Sequence, residues 1–304
     1  MDAAKIHAYA QTGINRISIG AQDFNLEVQT AINRLQPFEL VQQCIQNFKS
    51  QGIHHINLDL IYGLPKQTVE KVAYNIDTAL RLHPDRIALF AYAHVQWMKK
   101  HMQLIQESDL PDGLSRLAMY KIASEKLAQQ GYQAIGLDHF AQPTDAMSEA
   151  LADQTLKRNF QGYSTDIGER IIGFGLSAIS YSPVGYAQNT LDLTQYKQYI
   201  SEHKLPIVKG IKLTSEDILR KKVIDTLMCY MAVDLKAICQ DAGYPIDYFE
   251  KELKALKALE QDELITIKQG TLHIHPQARP IVRVVCSFFD TFFQHHDKKH
   301  SRVC

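Results

Sequence analysis

One stretch of twelve residues, Asn57-Leu58-Asp59-Leu60-Ile61-Tyr62-Gly63-Leu64-Pro65-Lys66-Gln67-Thr68, constrains the fold more than any other. Its apolar run with a single acid inside reads as a buried strand. Tyr-Gly-Leu-Pro then turns the backbone, and Thr68 can cap the amphipathic helix that follows, where Val72, Ala73, Ile76, Ala79 and Leu80 recur at helical spacing. A strand, a turn and a helix in immediate succession make a βα unit. An acid near the end of such a strand faces the mouth of an α/β sheet or barrel, where ligands sit. The plainer reading of Asp59 is an acid that bonds its own loop.

The unit recurs. Strand-like runs occupy 16–20, 55–62, 86–93, 132–136 and 173–181, with helical patterns over 38–50, 69–82 and 113–130. Strands alternating with helices of this length imply parallel βαβ units with right-handed crossovers, and strands apolar on both faces imply a sheet covered on both sides. Polar residues gather where the five runs end: Gln22 and Asp23, Asp59 and Tyr62, Tyr92 and His94, Asp138 and His139, Ser180 and Tyr181. Five strands placing polar groups at one rim is the layout of a barrel-type active site. Asp138 and His139 are adjacent on an extended segment and so are expected to point opposite ways, which argues against their acting as an acid/base pair.

From Thr214 the pattern changes. Thr214, with Glu216 and Asp217 in the first turn, can start a helix. Helical stretches follow at 215–230, 234–240 and 247–260, then a hairpin signal over 264–275 around Gly270 and a last apolar helix at 280–293. Helices followed by a hairpin suggest a winged-helix-like domain over 212–304, after an α/β domain over 1–211. From Lys212 onward there are 14 Lys and Arg against 13 Asp and Glu, and the whole chain has 33 of each class. A nucleic-acid binder would usually carry a basic surplus, so a lid or packing role suits this module better. No run approaches the roughly 20 apolar residues of a membrane span, and the first residues lack a signal-peptide core, which points to the cytoplasm. The five cysteines, Cys44, Cys229, Cys239, Cys286 and Cys304, lie too far apart in sequence for a zinc pair or an iron–sulfur trio, so no metal ligands are expected. Cys44 falls on an apolar helix face and reads as a small core residue. The tail histidines His295, His296 and His300 read as a solvated end.

Further segments then become informative together. They are Asn15-Arg16-Ile17-Ser18-Ile19-Gly20-Ala21-Gln22-Asp23-Phe24-Asn25, Asp59 to Thr68, Tyr92-Ala93-His94, Gly136-Leu137-Asp138-His139-Phe140-Ala141, Arg158-Asn159-Phe160-Gln161-Gly162-Tyr163, Gly175-Leu176-Ser177-Ala178-Ile179-Ser180, Tyr186-Ala187-Gln188-Asn189 and Ser301-Arg302-Val303. In this order they resemble the C-terminal two thirds of the oxygen-independent coproporphyrinogen III oxidases, radical S-adenosylmethionine enzymes of haem synthesis. The resemblance implies an incomplete parallel (βα) barrel of the radical S-adenosylmethionine type followed by the winged-helix-like domain. It implies an oxidative decarboxylation in which two propionates of coproporphyrinogen III become the vinyl groups of protoporphyrinogen IX. The implied cofactors are S-adenosylmethionine and a [4Fe–4S] cluster that a donor protein reduces. The implied S-adenosylmethionine contacts are Gln22, Arg34 and Asp59, with Ala93 and Ile179 lining its adenosyl part. The substrate has four carboxylates, which makes Arg158, and second His139, candidates to meet it.

The departure from the family pattern is specific. The family holds its cluster through a CxxxCxxC loop, and these 304 residues contain no such motif. Without three thiolates the protein ligation of the cluster is lacking, and the chain alone is expected to be inactive. The strand at 16–20 is expected to be a bare edge, because the helical segment at 2–11 is too short to replace several βα units. A poorly soluble, oligomeric or complemented fragment is therefore expected. Two alternatives stay open: a haem chaperone of the same superfamily, and a non-catalytic protein that binds S-adenosylmethionine or a porphyrinogen.

Overall fold

Alternation of side chains sets the first sheet. In β2 (His55–Tyr62), Ile56, Leu58, Leu60 and Tyr62 point to one face and are almost wholly buried, while Asn57, Asp59 and Ile61 point to the other. The computed structural model describes residues 3–97, 99–166 and 168–293. β2 pairs in parallel with β1 (Arg16–Gln22) on one side and with β3 (Arg86–Ala91) on the other. Helix α1 (Ala3–Gln11) precedes β1, α2 (Leu26–Ala31) and α3 (Phe38–Lys49) link β1 to β2, and α4 (Val69–Leu80) links β2 to β3. Thr68 does cap α4, accepting a bond from the Lys71 amide.

The buried face of the sheet lies under α3, α4 and α5 (Gly113–Gln129), through Val41, Ile45, Val72, Ile76, Met119, Ala123 and Leu127. Each fully buried aliphatic there contributes about 1.5–3 kcal/mol. A smaller cluster of Ile6, Phe48 and Ile53, with Cys44 and Ile17 against it, holds α1 to the edge strand, as the helical position of Cys44 predicts. The opposite face carries Arg16, Ser18, Asn57, Asp59 and Arg86, so these strands are not apolar on both sides. One face is a core and the other is a polar floor.

The parallel order ends after β3. At Gly136-Leu137-Asp138 the chain turns, and β5 (His139–Ala141) runs antiparallel to both β3 and β4 (Gln133–Ile135), giving the order β1-β2-β3-β5-β4. The fourth strand, β4, follows helix α5 and runs in the same direction as β3, but it does not pair with it: the three-residue turn brings β5 back antiparallel between the two. Helix α6 (Ala146–Ala152) follows, capped by Asp145.

Two compact units result, Met1–Gln154 and Thr155–Gln294. The division falls earlier than the change of pattern at 211/212, because the strands from Thr155 on pair among themselves. β6 (Lys157–Asn159) and β7 (Gly162–Ser164) form a hairpin. β8 (Ile179–Ser182), β9 (Gly185–Asn189) and β10 (Ile207–Lys212) form an antiparallel sheet, with α7 (Leu193–Ser201) between the last two. The run at 173–181 thus yields only β8, which pairs antiparallel in a separate sheet of the second unit, so among the described residues it is not a fifth strand of the first sheet. The glycines at 173 and 175 interrupt the run, Gly175 with φ +97°.

Helix α8 (Ser215–Tyr230) opens with the expected cap, a capping box of Thr214 and Asp217. It is followed by β11 (Ala232–Asp234), α9 (Leu235–Asp241), α10 (Glu250–Ala255), α11 (Lys257–Gln261), β12 (Ile265–Lys268), β13 (Thr271–Ile274) and α12 (Val282–Ser287). The hairpin of β12 and β13 extends to β11 as a three-stranded sheet. The long helix expected at 247–260 breaks at Leu256, and the last helix is shorter than expected, with Pro280 in a 3-10 turn ahead of it. Tyr163 donates to the Met228 carbonyl (3.0 Å) and Tyr230 to the Leu156 carbonyl (2.7 Å), docking the β6–β7 hairpin on α8. Among the described residues no helix is long and apolar enough to cross a membrane. His295, His296, His300, Cys304 and the Ser301-Arg302-Val303 segment lie outside the described residues.

Candidate functional site

The polar floor is ordered by strand register. Gly20 pairs with Asp59, Asp59 with Ala88, and Ala88 with His139, so four strands contribute one row to the same side. The Asp59 carboxylate accepts from Ser18 Oγ (3.0 Å) and from the Asn57 amide (2.7 Å), both one strand step back. The Asn57 amide also donates to Ser18 Oγ at 2.8 Å. Asn57 is buried, and among the described residues its Oδ1 has no hydrogen-bond partner. At the far end of the floor Asp145 is paired by Arg16 at 3.1 Å and Arg86 at 2.6 Å.

Gly20 gives the row its shape. A β-bulge follows it, and Gln22 takes a left-handed backbone (φ +62°). The Gln22 side chain folds back so closely that a Cβ on Gly20 would lie 2.5 Å from its amide nitrogen and 3.6 Å from Arg34 Nη2. Arg34 donates to the Gly20 carbonyl through Nη2 and to Gln36 through Nε, both at 2.9 Å. Two of its five N–H bonds are thereby committed, which fixes the guanidinium plane. Gln22, Arg34 and Asp59 are thus brought together around one glycine.

A buried latch supports this turn. Asp23 is fully buried, and its carboxylate accepts from the Gln67 amide (2.6 Å) and the Asn25 backbone (2.5 Å). Gln67 also donates to the Ile61 carbonyl (2.9 Å) and accepts from the Leu64 amide (2.8 Å). Asn75 bridges Phe24 N and the Gln22 carbonyl. The loops that close β1 and β2 are therefore tied to each other. Burial pushes the Asp23 carboxyl up to about 6, against the pull of Gln67, the Asn25 amide and Lys71. Sequence reasoning placed Asp23 at the rim but missed Gln67 as its partner. The signal available was a Gln in a turn between two apolar elements.

Ala93 is half-buried just beyond β3, between Tyr92 and His94, whose side chains share a 3.1 Å bond. His139 stands at the end of the row, with the Phe90 ring edge-on at 5.9 Å. Its Nδ1 lies 2.7 Å from Asp138 Oδ1, so the two adjacent residues meet instead of diverging, because Asp138 sits in a turn and not on an extended strand. Ile179, on β8, and Arg158, on β6, belong to the second unit.

The carboxylate of Asp59, the amide of Gln22, the guanidinium of Arg34 and the unpartnered Asn57 oxygen fit the hydroxyls and amino-acid end of S-adenosylmethionine. A [4Fe–4S] cluster is not matched by these residues. Among the described residues no three His, Cys, Asp or Glu side chains gather as a metal site. Cys44, Cys229, Cys239 and Cys286 are free thiols whose pKa values burial raises, the opposite of what thiolate ligation needs.

Residues 1–79 match the family described as the radical SAM superfamily. The chain is 40% identical over 303 residues to an oxygen-independent coproporphyrinogen III oxidase of Bradyrhizobium diazoefficiens, covering 100% of this chain and 67% of that protein. It is 39% identical over 293 residues to the anaerobic coproporphyrinogen III oxidase 1 of Cereibacter sphaeroides, covering 96% and 65%. A solved structure of the Escherichia coli coproporphyrinogen III oxidase, described as a radical SAM enzyme, superposes with a TM-score of 0.90 at 37% identity, covering 96% of this chain and 68% of that one. The chain thus spans about two thirds of the length of these relatives.

Proposed function

Because the chain belongs to the oxygen-independent coproporphyrinogen III oxidase family of radical SAM proteins, we propose that it serves the oxidative decarboxylation of coproporphyrinogen III to protoporphyrinogen IX in haem synthesis, as the part that binds S-adenosylmethionine and substrate. The observation that carries the reading is the convergence of Gln22, Arg34 and Asp59 on Gly20. S-adenosylmethionine would supply, when bound and reductively cleaved, the adenosyl group for hydrogen abstraction from a propionate side chain. Asp59 accepts from ribose hydroxyls, its own orientation held by Ser18 and Asn57. Gln22 both donates and accepts across the cosubstrate, and Arg34 offers its remaining N–H bonds to the methionyl carboxylate. Family resemblance assigns Ala93, and separately Ile179, to the adenosyl part, and Arg158, and second His139, to substrate carboxylates.

The three parallel strands with their helices are read as part of a (βα) barrel, and α8, α9 and the β11–β13–β12 sheet as a winged-helix-like module. A protein electron donor and a cytoplasmic setting belong to the same family reading. The ligand set of an iron–sulfur cluster is not formed among the described residues, and the sequence contains no CxxxCxxC motif. For the 304 residues alone, that lack favours cosubstrate and porphyrinogen binding without turnover.

Calorimetric titration tests the proposal. One equivalent of S-adenosylmethionine is expected to bind, and Asp59→Ala is expected to weaken it roughly thirtyfold, about 2 kcal/mol, the worth of a charge-assisted bond. Equal affinity in the two proteins, or none in either, removes the site assignment.

A further inference from the structure

Lys221, Asp225 and Cys229 recur at four-residue spacing and so share one face of α8. Residues of the β6–β7 and β8–β9 hairpins come near that face. Lys221 bonds the Asp225 carboxylate, and its ammonium lies 5.3 Å from the centroid of the Tyr181 ring on β8. The Tyr181 and Tyr186 rings are 4.8 Å apart, and Phe160, at the tip of the β6–β7 hairpin, sets its edge to Tyr186 at 6.3 Å. Arg158, on β6, stacks its guanidinium over Tyr163 at 5.7 Å. Its Nε is buried and, among the described residues, has no hydrogen-bond partner. Both Arg158 and Lys221 pull electrostatically on Asp225.

Lys221 therefore bonds the one carboxylate directly, and Arg158 stands near enough to act on it electrostatically, in a half-buried setting with three aromatic rings beside it. One positive charge is left without a counterpart in this group, and a buried N–H without an acceptor is costly unless a ligand meets it. The complement to such a site is an anion carried on a ring: the carboxylate meets the cations and the ring meets the aromatic faces.

We propose that Lys221 and Arg158 seat one carboxylate arm of a pyrrole-bearing substrate, with Tyr181, Tyr186 and Phe160 against its ring, and that Asp225 holds Lys221 until that carboxylate displaces it. The proposal rests on the porphyrinogen reading above and adds Lys221, Asp225 and the aromatic wall to it. No bond is made or broken: the incoming carboxylate exchanges for an internal one.

The test is a Soret-band titration of the full 304-residue chain with coproporphyrin III, the stable tetracarboxylate relative of the substrate, and with its tetra-amide. The free acid is expected to bind at least tenfold tighter than the amide. Lys221→Met is expected to lose about tenfold for the acid and nothing for the amide, Lys221→Arg to retain binding, and Asp225→Asn to bind the acid several-fold tighter, since it removes the internal competitor. A merely structural role for the pair would weaken both ligands in all variants. Equal affinity for acid and amide overturns the seat, as does unchanged acid binding in Lys221→Met. If Lys221→Met fails to fold, the comparison of acid with amide on the parent chain and the sign of the Asp225→Asn effect still decide. S-adenosylmethionine titration of the same preparation separates the two readings. Its binding without porphyrin binding overturns this seat alone, whereas binding of neither ligand overturns the proposed function.

Discussion

Around Gly20 the polar side chains are fixed by backbone that parallel strands hold in register. Arg34 is pinned on a carbonyl, Asp59 receives bonds from two neighbours, and Asp23 is locked to Gln67. Around Lys221 the polar side chains are held mainly by one another and by rings, and the nearby hairpins are docked through tyrosine hydroxyls. The first arrangement suits a ligand whose groups must be aimed. The second suits a charge that must be exchanged. The difference follows from the strands: long parallel pairs give evenly spaced positions on one face, whereas strands of three to five residues set only a few contacts each.

Glycine substitutions give the sharpest contrast between the two regions. Gly185 has φ +154°, and a Cβ there would lie 2.1 Å from the Ile211 carbonyl oxygen. Backbone on a paired strand cannot yield, so Gly185→Ala is expected to destabilise the second unit by about 4 kcal/mol, from clash and strain together. Urea unfolding followed by tyrosine fluorescence checks this, and a loss below about 1 kcal/mol would mean the β9–β10 pairing is looser than described.

The buried latch gives the next effect. The Asp23 carboxyl rises from 3.8 to about 6 on folding, so between those values the native state binds more protons than the unfolded chain. Its contribution to stability is complete below about pH 4, is lost as pH rises through about 6, and is level above that. The loss is about 3 kcal/mol. Asp23→Asn removes it, so the stability of the variant relative to the parent should improve by that amount between pH 4 and pH 7. Parallel pH profiles would refute a buried ionising latch.

Gly20→Ala should then affect binding and little else. The Cβ it adds meets the far end of a flexible side chain, the Gln22 amide, which can swing away. About tenfold weaker S-adenosylmethionine binding is expected, with a melting temperature within a degree or two of the parent. A large fall in melting temperature would make Gly20 a structural glycine like Gly185.

The same contrast explains what could be read from the sequence. The 55–62 strand and the 215–230 helix agree with β2 and α8 to the residue, and the 38–50 and 69–82 patterns agree with α3 and α4 within one or two. In each, several turns or strand steps repeat one apolar period. The reversal at Gly136-Leu137-Asp138 was not legible, because three-residue strands carry no period and the direction of pairing is a tertiary choice. Asp59 and Gln22 were legible as polar residues at strand ends, whereas Arg34 and the role of all three came through family resemblance; strand register and the bulge after Gly20 bring them together. The Asp23–Gln67 bond joins residues far apart in sequence, which no local pattern encodes. Lys221 was missed although a signal was present: two opposite charges four residues apart on a face that continues into a buried cysteine.

The central claim is that Arg34, fixed beside Gly20, receives the carboxylate of S-adenosylmethionine. The direct measurement is calorimetric titration of the parent chain and of Arg34→Met, each with S-adenosylmethionine and with its decarboxylated analogue. The expected result is a loss of about tenfold in the parent when the carboxylate is removed, and no such loss in Arg34→Met, because the partner is already gone. An equal loss in both proteins, or no binding of S-adenosylmethionine to the parent, would contradict the account.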